Sequence, residues 1–190
     1  MILHEYRIYD FHDAGRARFL ALFEEIALPL RRSRPGALLG MWLADRAGVQ
    51  QLHHLWSYDS FEQRAATRGE LATDVTWVET FVQPIVPLIA AQRVALLTPK
   101  ADWTPVRAPV AQMTTFHCVA FRAASVVAAL LAPGTTERMG VWTCESPDPH
   151  SVYSLRDAAD SDDSVQRSIA GSVRSVARIA LAPAPCSPTL

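Results

Sequence analysis

The chain has 190 residues, of which 49% are hydrophobic and 19% charged, with a net charge of −1. This composition supplies a core, argues against disorder, and lacks the basic excess that nonspecific nucleic-acid binding needs to displace phosphate counterions. The opening MILHEYRIYD is too polar for a signal peptide, and no apolar run approaches the roughly 20 residues of a membrane span, so the expectation is a cytoplasmic protein with no membrane partner.

Residues 2–9 read as a strand, rich in β-formers. Asp13 is the expected N-cap of a helix whose apolar stripe is Phe19, Leu22, Phe23 and Ile26, ended by Pro29 and the RPG at Arg34 to Gly36. Leu38 to Asp45 and Val49 to Tyr58 form a hairpin across the turn DRAG. Ser60 and Gln63 resemble a capping box. A further helix restarts at Thr73 or Asp74, carries Trp77, Phe81 and Ile85, and stops near Pro84 and Pro87. Ala91 to Leu97 is the fourth strand, giving the order βαββαβ of a ferredoxin-like unit.

A proline-containing linker over 100–109 follows. The second half then echoes the first in the same order. GVWTC at Gly140 echoes GMWLA at Gly40, HSVYSLRD at His150 echoes the third strand, and RIALAP at Arg178 echoes RVALLTP at Arg93. Val165, Ile169 and Val173 form the matching helical stripe. Gly40 to Arg93 spans 53 residues and Gly140 to Arg178 spans 38, so the second copy lacks about 15, mostly around its second helix. The expected class is α+β: two tandem ferredoxin-like βαββαβ units, 1–99 and a degenerate 110–185, forming a pseudo-dimeric α/β barrel, with 186–190 as an exposed tail. Such a unit covers one sheet face with helices and leaves the other bare, so the bare faces must be covered within the chain or by dimerisation. Both a monomeric pseudo-dimer and a homodimer satisfy that demand.

Glu5 to Tyr9 (EYRIY), Gly40 to Trp42 (GMW), His54 to Arg64 (HLWSYDSFEQR) and Trp77 before a proline-ended helix resemble the NIPSNAP family. The resemblance covers residues 1–99 well and 110–185 weakly. It implies the ferredoxin-like fold of the dimeric α/β-barrel superfamily. That superfamily includes cofactor-free monooxygenases, isomerases, cyclases, dehydratases and haem-binding proteins, so the resemblance alone does not select a reaction.

Strand parity puts Glu5, Arg7 and Tyr9 on one face and His54, Trp56 and Tyr58 on one face, with His53 turned the other way. His54 is the first candidate for proton transfer and His53 the alternate. Arg7 suits an oxyanion unless Glu5 merely neutralises it, and Tyr9 and Tyr58 can donate hydrogen bonds. Trp42, Trp56 and Trp77 suit a flat apolar ligand unless they simply fill the core. Cys118, Cys144 and Cys186 match no disulfide or zinc spacing. The single lysine, Lys100, lies in the linker, where it suits no Schiff base. No nucleotide-binding glycine motif occurs, and no HxH or HxxxE spacing falls on one element, so no cofactor or metal is expected.

The leading expectation is a cofactor-independent enzyme that cyclises, isomerises or dehydrates a small, largely apolar metabolite. Cofactor-free oxygenation is its alternative, and a non-catalytic ligand carrier or scaffold the reading from another class. The arginine-rich, alanine-rich and lysine-poor composition suggests a high-GC bacterium, where such proteins often serve specialised metabolism. HSVYSLRD lacks the HLW of the first copy, which places the site in the first half.

Overall fold

The computed structural model describes residues 1–104, 110–135, 139–159 and 163–188. Two compact units divide the chain: Met1–Val94 with the C-terminal segment from Ala184, and Ala95–Pro183. The first unit runs β1 (Leu3–Phe11), α1 (Gly15–Leu22), a π turn (Phe23–Ala27), α2 (Leu28–Arg32), β2 (Ala37–Arg46) and β3 (Val49–Tyr58). It continues with α3 (Phe61–Thr73), α4 (Val75–Trp77), a second π turn (Val78–Val82), α5 (Gln83–Ile85) and the start of β4 (Ile89–Pro99). The second runs β5 (Ala111–Cys118), α6 (Ala123–Leu130), β6 (Gly140–Ser146), β7 (Ser151–Asp157), α7 (Asp163–Ile169) and β8 (Val173–Pro183). The class is α+β, two βαββαβ-like units in tandem.

In the first unit β3 lies between β1 and β2, antiparallel to both. In the second, β5 lies between β7 and β8, and β6 flanks β7. The last residues of β4, Leu96 to Pro99, pair with β6. The β2–β3 hairpin closes on Ala47 and Gly48, both at positive φ (50° and 81°), the two-residue turn whose twist matches its strands. Helices cover one sheet face of the first unit. There Phe19, Leu22 and Phe23 pack with Phe81, Ile85, Tyr9 and Phe11, and each buried aromatic contributes roughly 2–3 kcal/mol.

Four local expectations are corrected. Asp13 does not cap α1: it sits at φ 40°, in the turn before Ala14. Pro29 does not end the first helix. It follows the π turn, and the widened turn accommodates a ring that lacks an N–H and would crowd a regular turn. Val173 opens β8 rather than extending the α7 stripe. The C-terminal segment is not a free tail: Ala184 N donates to Met41 O, Met41 N donates to Ser187 Oγ, and Ala184 is buried. Residues 105–109 of the expected linker lie outside the described residues, whereas Lys100 and Thr104 hydrogen-bond to Val141 and Met139 beside β6.

The Gly-x-Trp echo is structural. A Cβ at Gly40 would lie 2.3 Å from the Trp42 ring, and a Cβ at Gly140 would lie 2.3 Å from the Trp142 ring. Each indole folds back over its own strand, and only a residue without a side chain leaves room. Because both rings are fully buried, Gly40→Ala is expected to destabilise the fold by about 1–3 kcal/mol through overpacking. A urea titration against wild type, with Gly140→Ala as the parallel case, checks this.

Candidate functional site

The register builds the site. Arg7 lies opposite His54 and Glu5 opposite Trp56. Directly opposed residues share a face, so Glu5, Arg7, Tyr9, His54, Trp56 and Tyr58 all point to the helix side. Trp77 joins them from α4, which Asp74 caps by accepting from Trp77 N at 2.9 Å. His53 and Trp42 oppose each other across β3 and β2 on the other face. There His53 meets Tyr6 Oη at 2.7 Å and Gln51 Oε1 at 3.2 Å, while Trp42 packs on Gly40. Of the sequence candidates, these two are therefore not brought to the first-unit pocket.

Between sheet and helices lies a small pocket of about 40 Å³, lined by Glu5, Arg7, Arg31, His54, Tyr58 and Arg68 with an aromatic surround. A larger cavity of about 600 Å³ shares Arg31 and Trp56 with it and extends past Leu28, Leu38 and Cys186. A water needs roughly 10–15 Å³ of such space. The inner pocket thus takes a small polar group, and only the outer one falls in the range of about 300–1,000 Å³ typical of ligand sites.

Arginine dominates the electrostatics. Glu5 is buried and carries two guanidinium partners: Arg7 Nε on one oxygen and Arg64 Nε on the other. Burial alone would raise the Glu5 carboxyl, but Arg7 and Arg64 hold it below its ordinary value. Burial likewise opposes the Arg7 charge, and the Tyr9 phenol and Glu5 overcome it. Arg7 also donates from Nη1 to Tyr9 Oη at 3.2 Å. Arg31 lies with its Cζ 4.4 Å from the Trp56 ring centroid and donates from Nη2 to Tyr58 Oη at 3.2 Å. Its Nη1 is buried without a partner among the described residues. Burial pushes the Tyr58 hydroxyl up, with Arg31 as the main opposing charge. Arg68, exposed as a residue, reaches the pocket from α3. Three guanidiniums and one carboxylate therefore line the inner pocket, and that carboxylate is already doubly paired.

His54 is held in one state. Trp56 Nε1 donates to His54 Nδ1 at 2.8 Å. An indole nitrogen can only donate, so Nδ1 accepts, the ring is neutral and the proton sits on Nε2. That Nε2 is buried with no partner among the described residues. Burial, reinforced by Arg7, keeps the imidazole well below its ordinary value. In this arrangement His54 offers a hydrogen bond and has no free lone pair with which to take a proton.

Arg31, Arg64 and Arg68 were not singled out by sequence reasoning. Arg64 and Arg68 stand four apart on α3, which would have shown a shared helix face. Arg31 lies in the RRSR run, where nothing distinguishes it from its neighbours.

Among the described residues, the second unit repeats the register without repeating this cluster. Gly140 and Trp142 oppose Leu155 and Tyr153 as Gly40 and Trp42 oppose Leu55 and His53. The positions of His54 and Trp56 thus fall on Ser154 and Arg156, and those of Glu5 and Arg7 on Gln112 and Thr114. The core on the helix side there is apolar, built on Phe116, Val126, Leu130, Val152, Val165 and Ile169, and the buried Arg156 donates to the neutral Gln112 Oε1 at 2.6 Å. Thirty residues separate Tyr58 from Ile89, but fifteen separate Asp157 from Val173. The shorter connection has no counterpart to the stretch that delivers Trp77 and Phe81.

The sequence profile of the NIPSNAP family matches residues 4–104. The human protein NipSnap homolog 3A is 31% identical over 121 residues, which are 61% of this chain and 48% of the human protein; the chain thus spans about half the length of that relative. A Lactobacillus acidophilus structure described as a "putative monooxygenase" superposes at a TM-score of 0.67 with 12% identity, covering 95% of this chain and 92% of its own. An anthrone oxidase-like protein superposes at 0.60 with 11% identity, covering 96% and 91%. Both likenesses run through the two units, and at these identities they speak for the fold.

Proposed function

This chain belongs to the NIPSNAP family, and from that premise and the geometry of the first unit we propose that it is a cofactor-independent oxygenase of small, flat, enolisable or phenolic molecules. The observation that carries the reading is the convergence of Arg7, Arg31 and Arg68 on a pocket whose single carboxylate is already doubly paired. A site with this excess of positive charge, partly shielded from water, favours the ionised form of an acidic oxygen. The substrate ring lies against Trp56 in the outer cavity, and its oxygen enters the inner pocket. The names borne by the two full-length structural neighbours agree with oxygenation better than with cyclisation, isomerisation or dehydration.

The substrate gives a proton to water and becomes an enolate or phenolate, held by Arg31 and His54 Nε2–H. Its carbon transfers electrons to dioxygen and forms a C–O bond, and the resulting peroxide anion takes a proton back from water to give a hydroperoxide. Loss of water then gives the ketone. A CH2 group and one dioxygen become one carbonyl and one water, and the substrate supplies all the electrons.

The test is oxygen uptake with dithranol, a hydroxylated anthrone, after dialysis against chelator. One dioxygen should be consumed per quinone formed, above the uncatalysed blank. Arg31→Met should lower kcat/KM by about 10²-fold, the scale of losing one preorganised donor. Uptake no faster than the blank with dithranol overturns the reading and leaves the ligand carrier.

A further inference from the structure

We propose that Trp56 is a positioning residue that fixes His54 as an Nε2–H donor, so that His54 and Arg31 form a two-donor clamp selective for an anionic, acceptor-only oxygen such as a phenolate or enolate. The inference deepens the reading above and rests on it only for the use made of the clamp.

Two observations carry it. The first is the hydrogen bond from Trp56 Nε1 to His54 Nδ1, 2.8 Å long, between residues two apart on one strand face. The donor-only indole removes the tautomer that would carry its proton on Nδ1. The second is the pair of orphaned donors. His54 Nε2 and Arg31 Nη1 are buried without partners among the described residues, on side chains that line the same pocket and belong to residues each 4% exposed. A buried donor without a partner costs roughly 1–3 kcal/mol, and a ligand oxygen that accepts from both removes that cost. A neutral hydroxyl competes poorly, because its hydrogen meets two further donors and its oxygen carries less charge. Trp56 also lies under the Arg31 guanidinium, 4.4 Å from Cζ to ring centroid. One indole thus orients both members of the clamp, one through its N–H and the other through its face.

The experiment needs no turnover, so it separates this inference from the oxygenase reading. In the full-length protein, long-range 1H–15N correlation spectra read the His54 tautomer directly. The expected result is a single neutral Nε2–H form. A His54 ring protonated on Nδ1 overturns the inference without any variant being made. The probe for the clamp is 4-nitrophenol, whose ionised form is coloured. Its bound pKa should fall by at least about one unit, a tenfold preference for the phenolate. In Trp56→Phe, where an aromatic ring is kept and the indole N–H removed, the His54 signals should split between tautomers and the preference should drop about tenfold. An unchanged tautomer and an unchanged preference in a folded Trp56→Phe protein overturn the role given to Trp56.

Discussion

Replacing Glu5 by glutamine is expected to lower the unfolding free energy by about 3–5 kcal/mol, the usual loss when one partner of a buried ion pair is removed. Glu5 is 1% exposed and, among the described residues, is the only carboxylate lining a pocket also lined by Arg7, Arg31 and Arg68, with Arg64 on its second oxygen. Without it, Arg7 stays buried beside like charges, with the Tyr9 hydroxyl and a neutral amide as its nearest hydrogen-bonding partners. Arg64 is the control. Its side chain is more open, and Arg64→Met leaves the Glu5–Arg7 pair intact, so a loss of about 1 kcal/mol is expected. Guanidinium titrations of the two variants decide the matter: an equal loss would mean that the carboxylate does not anchor the cluster. The same variant should bind 4-nitrophenolate more tightly than wild type, because removing the negative charge raises the field at the clamp. Glu5 then holds together a site whose anion affinity it moderates, a trade of stability against function.

The extent to which this site was legible follows from what each signal measures. Alternation sorted β1 and β3 into faces, and Val49 to Tyr58 is the strand that alternation and the DRAG turn define. Parity separated His53 from His54, as the structure does. Whether the Arg7 face and the His54 face are the same face is a property of register. Register is fixed by the Arg7–His54 and Glu5–Trp56 pairings, which no single strand contains. The helix arginines were illegible for another reason: an arginine on an amphipathic helix reads as solvated, and Arg31 is buried only because α2 continues past Pro29 and lays it over Trp56. The degeneracy of the second unit was visible in the missing HLW. The register shows further that Gln112 and Thr114 also replace Glu5 and Arg7, so the second unit lacks the Glu5–Arg7 pair as well as the HLW and carries Arg156 at the position of Trp56.

The second large effect is acid sensitivity well above the carboxylate range. His4 and His53 are buried, and burial lowers each from its ordinary value to about 4, with Arg93 adding to the effect at His53. In the unfolded chain both titrate near 6.5, so between pH 6.5 and 4 the unfolded state binds more protons than the folded state. Stability therefore rises with pH across that window and is lost as pH falls. Each histidine is expected to cost about 2 kcal/mol by pH 5 and about 3 kcal/mol by pH 4, on the scale of 1.36 kcal/mol per pKa unit. The two together rival the whole stability of a typical domain, about 5–15 kcal/mol. The fully buried His54 shifts in the same direction. Glu5 adds a second phase: its folded value lies below the ordinary carboxyl, so its contribution is present above the unfolded value of about 4.5 and disappears as pH falls through the folded one. Urea titrations at pH 7, 6, 5 and 4.5 should show a steady fall in unfolding free energy from just below pH 7. The fall should be shallower in His53→Gln, because an amide in that place keeps polar contact with Tyr6 and Gln51 but cannot take up a proton. A wild-type profile that stays flat down to pH 5 would mean that the folded histidines titrate normally, and the closed environment described for β1 and β3 would then be wrong.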